Sequence, residues 1–186
     1  MTQTIRINAK KISIILTLII LLIIMVMSIN TLMIKILYKK EYSEYVNKYS
    51  QEYGLDENLI YAVIKAESNF QSDAISNKNA LGLMQLMPAT AEEVANKNNI
   101  KLTEENILEP DVNINIGTKY ISTLLEKYES VEVALAAYNA GIGNVDKWIE
   151  NGIIKPDGSD IENIPFKETN NYVRKIMRDY KIYSES

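Results

Sequence analysis

From Ile12 to Ile29 the chain runs ISIILTLIILLIIMVMSI, 18 residues without a charge. Its only polar side chains, Ser13, Thr17 and Ser28, are of the kind that bond back to their own helix. At about 1.5 Å per residue such a helix nearly crosses a hydrocarbon core ~30 Å thick. Continuation through Asn30 to Met33 completes the span, so one transmembrane helix is expected over residues 12–33. A cleaved signal peptide is the competing reading. It would have an apolar region of only about 7 to 15 residues and a small-x-small cleavage site, which the sequence does not offer. The expected division is a short N-terminal segment at residues 1–11, the anchor at 12–33, a connector at 34–44 and a folded domain at 45–186.

Charge changes sign across that division. Residues 1–40 carry Arg6, Lys10, Lys11, Lys35, Lys39 and Lys40 and no acid, whereas the rest holds 14 basic against 24 acidic side chains, a net charge of −10. An acidic body lacks the clustered Lys and Arg that bind phosphate backbones, so nucleic acid is not expected as a partner. The basic residues flank the apolar run almost equally on both sides, and the loop-charge rule therefore leaves its orientation open.

The 186 residues contain no His and no Cys. A Ser-His-Asp triad, an imidazole or thiolate metal site, a cysteine nucleophile, a disulfide and a lipid-modified cysteine are all excluded. Chemistry has to rest on carboxylates, hydroxyls, amides or Lys, with no cofactor implied.

Beyond the anchor the pattern is helical throughout, and no period-2 run is long enough for a sizeable sheet. A Tyr-rich helix around residues 42–53 ends at Gly54, and Asp56 is placed to cap the next. Pro88 opens a helix to Asn98, and a longer one is expected over Asp111 to Tyr128. Ser130 caps the segment VEVALAAYNA, which Gly141 ends, and a short helix follows around Asn144 to Glu150. The stretch 151–165 reads as a loop, and Thr169 is expected to cap a last helix. The fold class is mainly α.

One carboxylate stands out. In the helix after Asp56, Ile60, Ile64 and Glu67 share a face, Glu67 lying only ~20° around the axis from Ile60. Burial among apolar groups would raise its pKa and suit it to general acid work near neutral pH. A solvent-exposed or Lys-paired glutamate at a helix end is the alternative for that position taken alone.

Four segments share this body: AESNF at 66–70, GLMQLMP at 82–88, AYNAGIGNV at 137–145 and IPFKETNNYV at 164–173. In this order and spacing they make the chain similar to the SLT-type lytic transglycosylases, peptidoglycan-cleaving enzymes with a goose-type lysozyme-like helical fold. The resemblance covers about residues 45–182. It implies Glu67 as the single catalytic acid/base, with Ser68 beside it. Gly82 would let the backbone approach the sugar, and Met84 and Gln85 would line the cleft. Tyr138 would hydrogen-bond the catalytic carboxyl, and Asn139 would orient substrate or backbone. Glu168 and Tyr172 resemble a substrate-contacting pair. Where members commonly carry Gly, this chain has Asn79, the non-Gly residue that best tolerates a left-handed backbone.

The resemblance also implies a reaction. Most glycosidases use two carboxylates, and the motifs supply only one. The 2-acetamido group of N-acetylmuramic acid would assist, and Glu67 would serve first as acid and then as base on the sugar's own 6-hydroxyl, leaving a 1,6-anhydro end. Peptidoglycan glycan strands are the implied partner. Because that polymer lies outside the cytoplasmic membrane, the domain is expected to face outward and residues 1–11 to lie in the cytoplasm. A hydrolytic muramidase, with water in place of the 6-hydroxyl, and a non-catalytic glycan-binding module are the alternatives.

Overall fold

The computed structural model describes residues 9–185, so residues 1–8 of the expected cytoplasmic segment lie outside the described residues. The chain divides into two compact units at Lys39/Lys40. The first is helix α1, Ala9–Leu37. Thr17 and Thr31 donate back to the carbonyls of Ser13 and Met27, at 2.9 and 3.0 Å, which hides their hydroxyls within the helix. The helix from Lys10 to Leu37 contains an 18-residue window of mean hydropathy 3.2 and is long and apolar enough to cross a membrane, a test that a signal sequence also passes.

The second unit is built around a helix that is apolar on every side. Helix α3, Glu57–Glu67, follows α2, Ser43–Glu52, and the six consecutive residues Leu59 to Ile64 are all buried. A helix buried all round belongs at the centre of a core, and this one packs chiefly against α2 and the last helix of the chain. Asp56 caps its start, accepting from the Asn58 backbone N–H at 2.9 Å. Its far end opens into a tight loop in which Asn69 and Phe70 both take positive φ, 50° and 68°.

Helix α4 spans Pro88–Asn98, α5 Pro110–Tyr128 and α6 Val131–Ala140. Ser130 caps α6 by accepting from the Val133 N–H. Helix α7 covers Ile142–Glu150, starting two residues ahead of the expected position because Gly141, at φ 87°, both ends α6 and starts the next turn. A single 3-10 turn, Ile161–Asn163, interrupts the expected loop. The last helix, α8, runs over Lys167–Glu185. Thr169 therefore lies inside the first turn and does not cap it. Its hydroxyl is buried and donates to Asn139 Oδ1 at 2.7 Å, tying α8 to α6.

Helices α3 and α8 lie antiparallel. Tyr180, near the end of α8, donates to Asp56 at the start of α3, while Tyr172 and Lys175 reach the end of α3. Extended pairing among the described residues is limited to isolated bridges, Ile75 with Leu81 and Leu81 with Leu86, so the unit is mainly α as expected.

Candidate active site

The site forms where the central helix runs out. Glu67 is the last residue of α3, at the end where the helix dipole disfavours negative charge. It keeps partial access to solvent while protein atoms crowd its carboxyl, and that burial pushes its pKa up to about 7. Two neighbours act the other way: a hydrogen bond from Tyr172 and the charge of Lys175. The result is a carboxyl group that exchanges its proton near neutrality, which a general acid/base needs.

Tyr172 comes from α8 and donates to Glu67 Oε1 at 2.5 Å. Its phenol is pushed well above the ordinary value, by burial first and then by the Glu67 charge, so it stays a donor. The Tyr138 phenol is raised in the same way. Its bond, however, goes elsewhere: Tyr138 Oη donates to the Met84 carbonyl at 2.7 Å. The tyrosine bonded to the carboxyl is thus Tyr172, and Tyr138 pins the adjacent loop. Groups from α3, α6 and α8 thus lie close enough for the Glu67 charge to act on both phenols.

That loop, residues 68–87, is held from below by side chains. Ser68 is buried and donates to the Leu83 carbonyl at 2.9 Å, so its hydroxyl fastens the loop to the end of α3 and does not face the cleft. Gln85, at φ 46°, folds its amide back to the carbonyls of Ala74 and Gly82, at 3.1 and 2.9 Å. The Met84 side chain is fully buried and packs on Gly117 of α5, where a Cβ would come within 2.4 Å of its sulfur. Met84 therefore contributes its backbone to the site and its side chain to the core.

Asn113, which sequence reasoning passed over, organises the loop. It is fully buried on α5, accepts from the Met84 N–H at 2.8 Å, and donates to the carbonyls of Leu81 and Ile107, at 3.0 and 2.9 Å. Gly82 is required for this contact: at φ +75°, a Cβ there would lie 2.4 Å from Asn113 Nδ2. The glycine makes room for an asparagine of the protein itself. The only sequence signal for Asn113 was a polar residue beside Ile114 in an otherwise apolar helical stripe. Asn79 takes the left-handed conformation expected of it, φ 61°.

A groove of about 250 Å³ runs beside these groups, lined among others by Gln85, Met87, Tyr120, Tyr138 and Asn139. The Tyr120 ring, a second residue not singled out from sequence, lies 5.3 Å from that of Tyr138, giving the groove an aromatic wall. Asn139 faces this groove while its Oδ1 is held by Thr169. Glu168 is exposed in the first turn of α8, one turn ahead of Tyr172. A larger cavity, about 710 Å³ between α4 and residues 100–107, contains none of these groups, so size does not mark the site. Among the described residues no cluster of three acidic side chains is arranged to hold a metal ion.

The second unit is thus a mainly helical domain with one titrating carboxyl at the end of its buried helix, close to Tyr138, which lines the groove. Residues 44–158 match the family described as transglycosylase SLT domain, and the chain belongs to that family. It is 33% identical over 140 residues to the soluble lytic murein transglycosylase of Salmonella typhimurium, covering 73% of this chain and 22% of that protein. Identity to the membrane-bound lytic murein transglycosylase C of Actinobacillus succinogenes is 34% over 117 residues, 57% of this chain and 33% of the relative. In three dimensions it matches an inactive mutant of the lytic transglycosylase Slt from Pseudomonas aeruginosa, with a TM-score of 0.74 and 36% identity over 80% of this chain and 24% of that one. The chain thus spans about a quarter to a third of the length of these relatives.

Proposed function

We propose that this chain is a peptidoglycan lytic transglycosylase in which Glu67 carries both proton transfers. The observation that supports this most is the state of Glu67, a carboxyl with its pKa pushed up to about 7, held by Tyr172 and close to Tyr138, which lines the groove. Near neutral pH a large share of the molecules hold it protonated, ready to give its proton to the glycosidic oxygen between N-acetylmuramic acid and N-acetylglucosamine. The C1–O bond breaks as the 2-acetamido oxygen of the muramic acid shields the developing cation at C1. The carboxylate left behind then takes the proton of the sugar's 6-hydroxyl, whose oxygen closes on C1. The product has a 1,6-anhydro end, and Glu67 is protonated again.

One carboxylate suffices for this sequence, whereas hydrolysis by inversion or through a glycosyl-enzyme needs two. The neighbours that shift the Glu67 carboxyl are a phenol, Tyr172, and a cation, Lys175. A reaction that asks for no carboxylate partner fits these neighbours, which supports the anhydro-forming reading over a muramidase. Gln85, Tyr138, Asn139 and Tyr120 line the groove that would take the glycan strand, with Tyr172 and Glu168 at the α8 side.

The apolar helix is read as an uncleaved anchor, with residues 1–11 in the cytoplasm, 34–44 as connector and the catalytic domain at 45–186 outside the cytoplasmic membrane. Its length and hydropathy support this, as does the location of the substrate. The test of the enzymatic reading is Glu67→Gln in the full chain, solubilised in detergent. The variant is expected to sediment with purified peptidoglycan as the native chain does and to release no soluble fragments. Equal release by both proteins would overturn the assignment. Binding without release by the native chain would make it a recognition module.

A further inference from the structure

Lys175 stands in none of the motifs assigned above, yet it touches the end of the catalytic helix. On α8 it follows Tyr172 by almost one turn, and its Nζ donates to the carbonyl of Ala66 at 3.1 Å. Ala66 precedes Glu67 directly, and its carbonyl belongs to the last turn of α3, whose C-terminal acceptors favour a cation. One face of α8 thus delivers two groups to two consecutive residues of α3: a phenol to the Glu67 carboxyl and an ammonium to the Ala66 carbonyl.

We propose that Lys175 is a positioning residue for Glu67, fixing the last turn of α3 and holding a positive charge beside the reacting carboxyl, so that it sets the upper pH limit of the reaction. The inference rests on the reading of Glu67 as acid/base. Lys175 favours the ionised carboxyl, against the burial that favours the neutral one. The charged and titratable groups around this junction are few. Tyr172 faces Glu67 from α8 and Tyr138 from α6. Farther along the same α3/α8 contact, Lys65 lies 3.8 Å from the buried Asp179, which also pairs with Arg178 at 2.9 Å. Those three charges are paired with one another: Lys65 shares the last turn of α3 with Ala66 and Glu67, and Arg178 and Asp179 lie about one turn farther along α8 than Lys175.

The sign follows from the acid step. Glu67 has to be protonated in the free enzyme, so kcat/KM falls as pH rises through its pKa. Removing the Lys175 charge raises that pKa and moves the alkaline limb upward. The test is the pH profile of fragment release from peptidoglycan at low substrate, between pH 5 and 9 or so, for the full chain and for Lys175→Gln, Lys175→Met and Lys175→Arg. The Gln variant keeps a donor for Ala66 without the charge, and Arg keeps the charge. The limb is expected to move up by about half a pH unit in the Gln and Met variants, a solvent-screened fraction of what a buried pair gives. It is expected to stay in place in the Arg variant. Raised salt should move the native limb toward that of the Gln variant, because an exposed charge is screened. A purely structural lysine would lower the rate at every pH and leave the limb where it is, and that result would overturn the proposal. Should the Met variant fail to fold, the Gln and Arg pair decides. Glu67→Gln run in parallel separates the two readings: if it remains active the acid/base assignment fails, and if it is inactive while the limb does not move only the role of Lys175 fails.

Discussion

A carboxylic acid at the C-terminal end of a buried helix is in an unfavourable place for a charge, and the consequences reach beyond catalysis. The Glu67 pKa is raised from 4.5 to about 7 in the fold. Above pH 7 the native state therefore carries an ionised group that it disfavours relative to the unfolded chain. As pH falls from 7 toward 4.5 the native state takes up a proton that the unfolded state does not, and stability rises. Glu67→Gln removes that cost. The variant is expected to be more stable than the native chain at pH 8, by at most ~3 kcal/mol, with the gain vanishing below pH 5. Urea unfolding of the second unit, followed by tryptophan fluorescence of Trp148 at the two pH values, checks this, and equal midpoints at pH 8 would contradict it. Activity moves the opposite way, with a loss of ~10²- to 10⁴-fold or more on removing the acid/base. Tyr172→Phe deletes the hydrogen bond that favours the ionised carboxyl. Its alkaline limb should lie at higher pH than that of the native chain, and an unchanged limb would mean that the bond does not tune the acid.

At the scale of elements, the loop 68–87 is held in place by α5 as much as by its own turns. Asn113→Ala would leave the Met84 N–H and the Leu81 and Ile107 carbonyls without their partner. Each buried orphan costs about 1–3 kcal/mol, so a loss near ~3 kcal/mol or more is expected in denaturant unfolding, together with loss of activity. Gly82→Ala meets the same asparagine and a positive φ at once, and should destabilise by ~2 kcal/mol or more. The helices themselves were legible in the sequence because caps and breakers are local: Asp56, Pro88, Ser130 and Gly141 act within a turn of where they stand. Glu67 was legible because 3.6-residue periodicity placed it beside Ile60 and Ile64. The hydrogen-bond partners were not. Whether Tyr138 or Tyr172 reaches Glu67 depends on the register of α8 against α3, set by contacts more than a hundred residues apart in sequence. Met84 misled for a related reason, since a motif shows which residue types recur but not which way each faces. The inward turn of Met84 is fixed by Gly117, and the space beside Gly82 by Asn113.

For the molecule as a whole, an acidic folded unit follows a basic and apolar N-terminal region. If the apolar helix anchors the chain, the enzyme works on the glycan nearest the membrane and its reach is limited to the connector and the body. The full chain is then expected to stay in the membrane fraction after an alkaline carbonate wash and to show an intact N-terminal mass. A soluble form beginning after the apolar run would show instead that the segment is a signal sequence.

In the proposed reaction one carboxylate does two jobs without a water molecule, and the masses of the released fragments report this directly. Digestion of purified peptidoglycan by the detergent-solubilised full chain, followed by mass spectrometry, should yield muropeptides lighter by one water than their hydrolytic counterparts. They should resist reduction at the muramic acid end and be absent with Glu67→Gln. Fragments of full hydrolytic mass with reducible ends would contradict it and make the protein a muramidase.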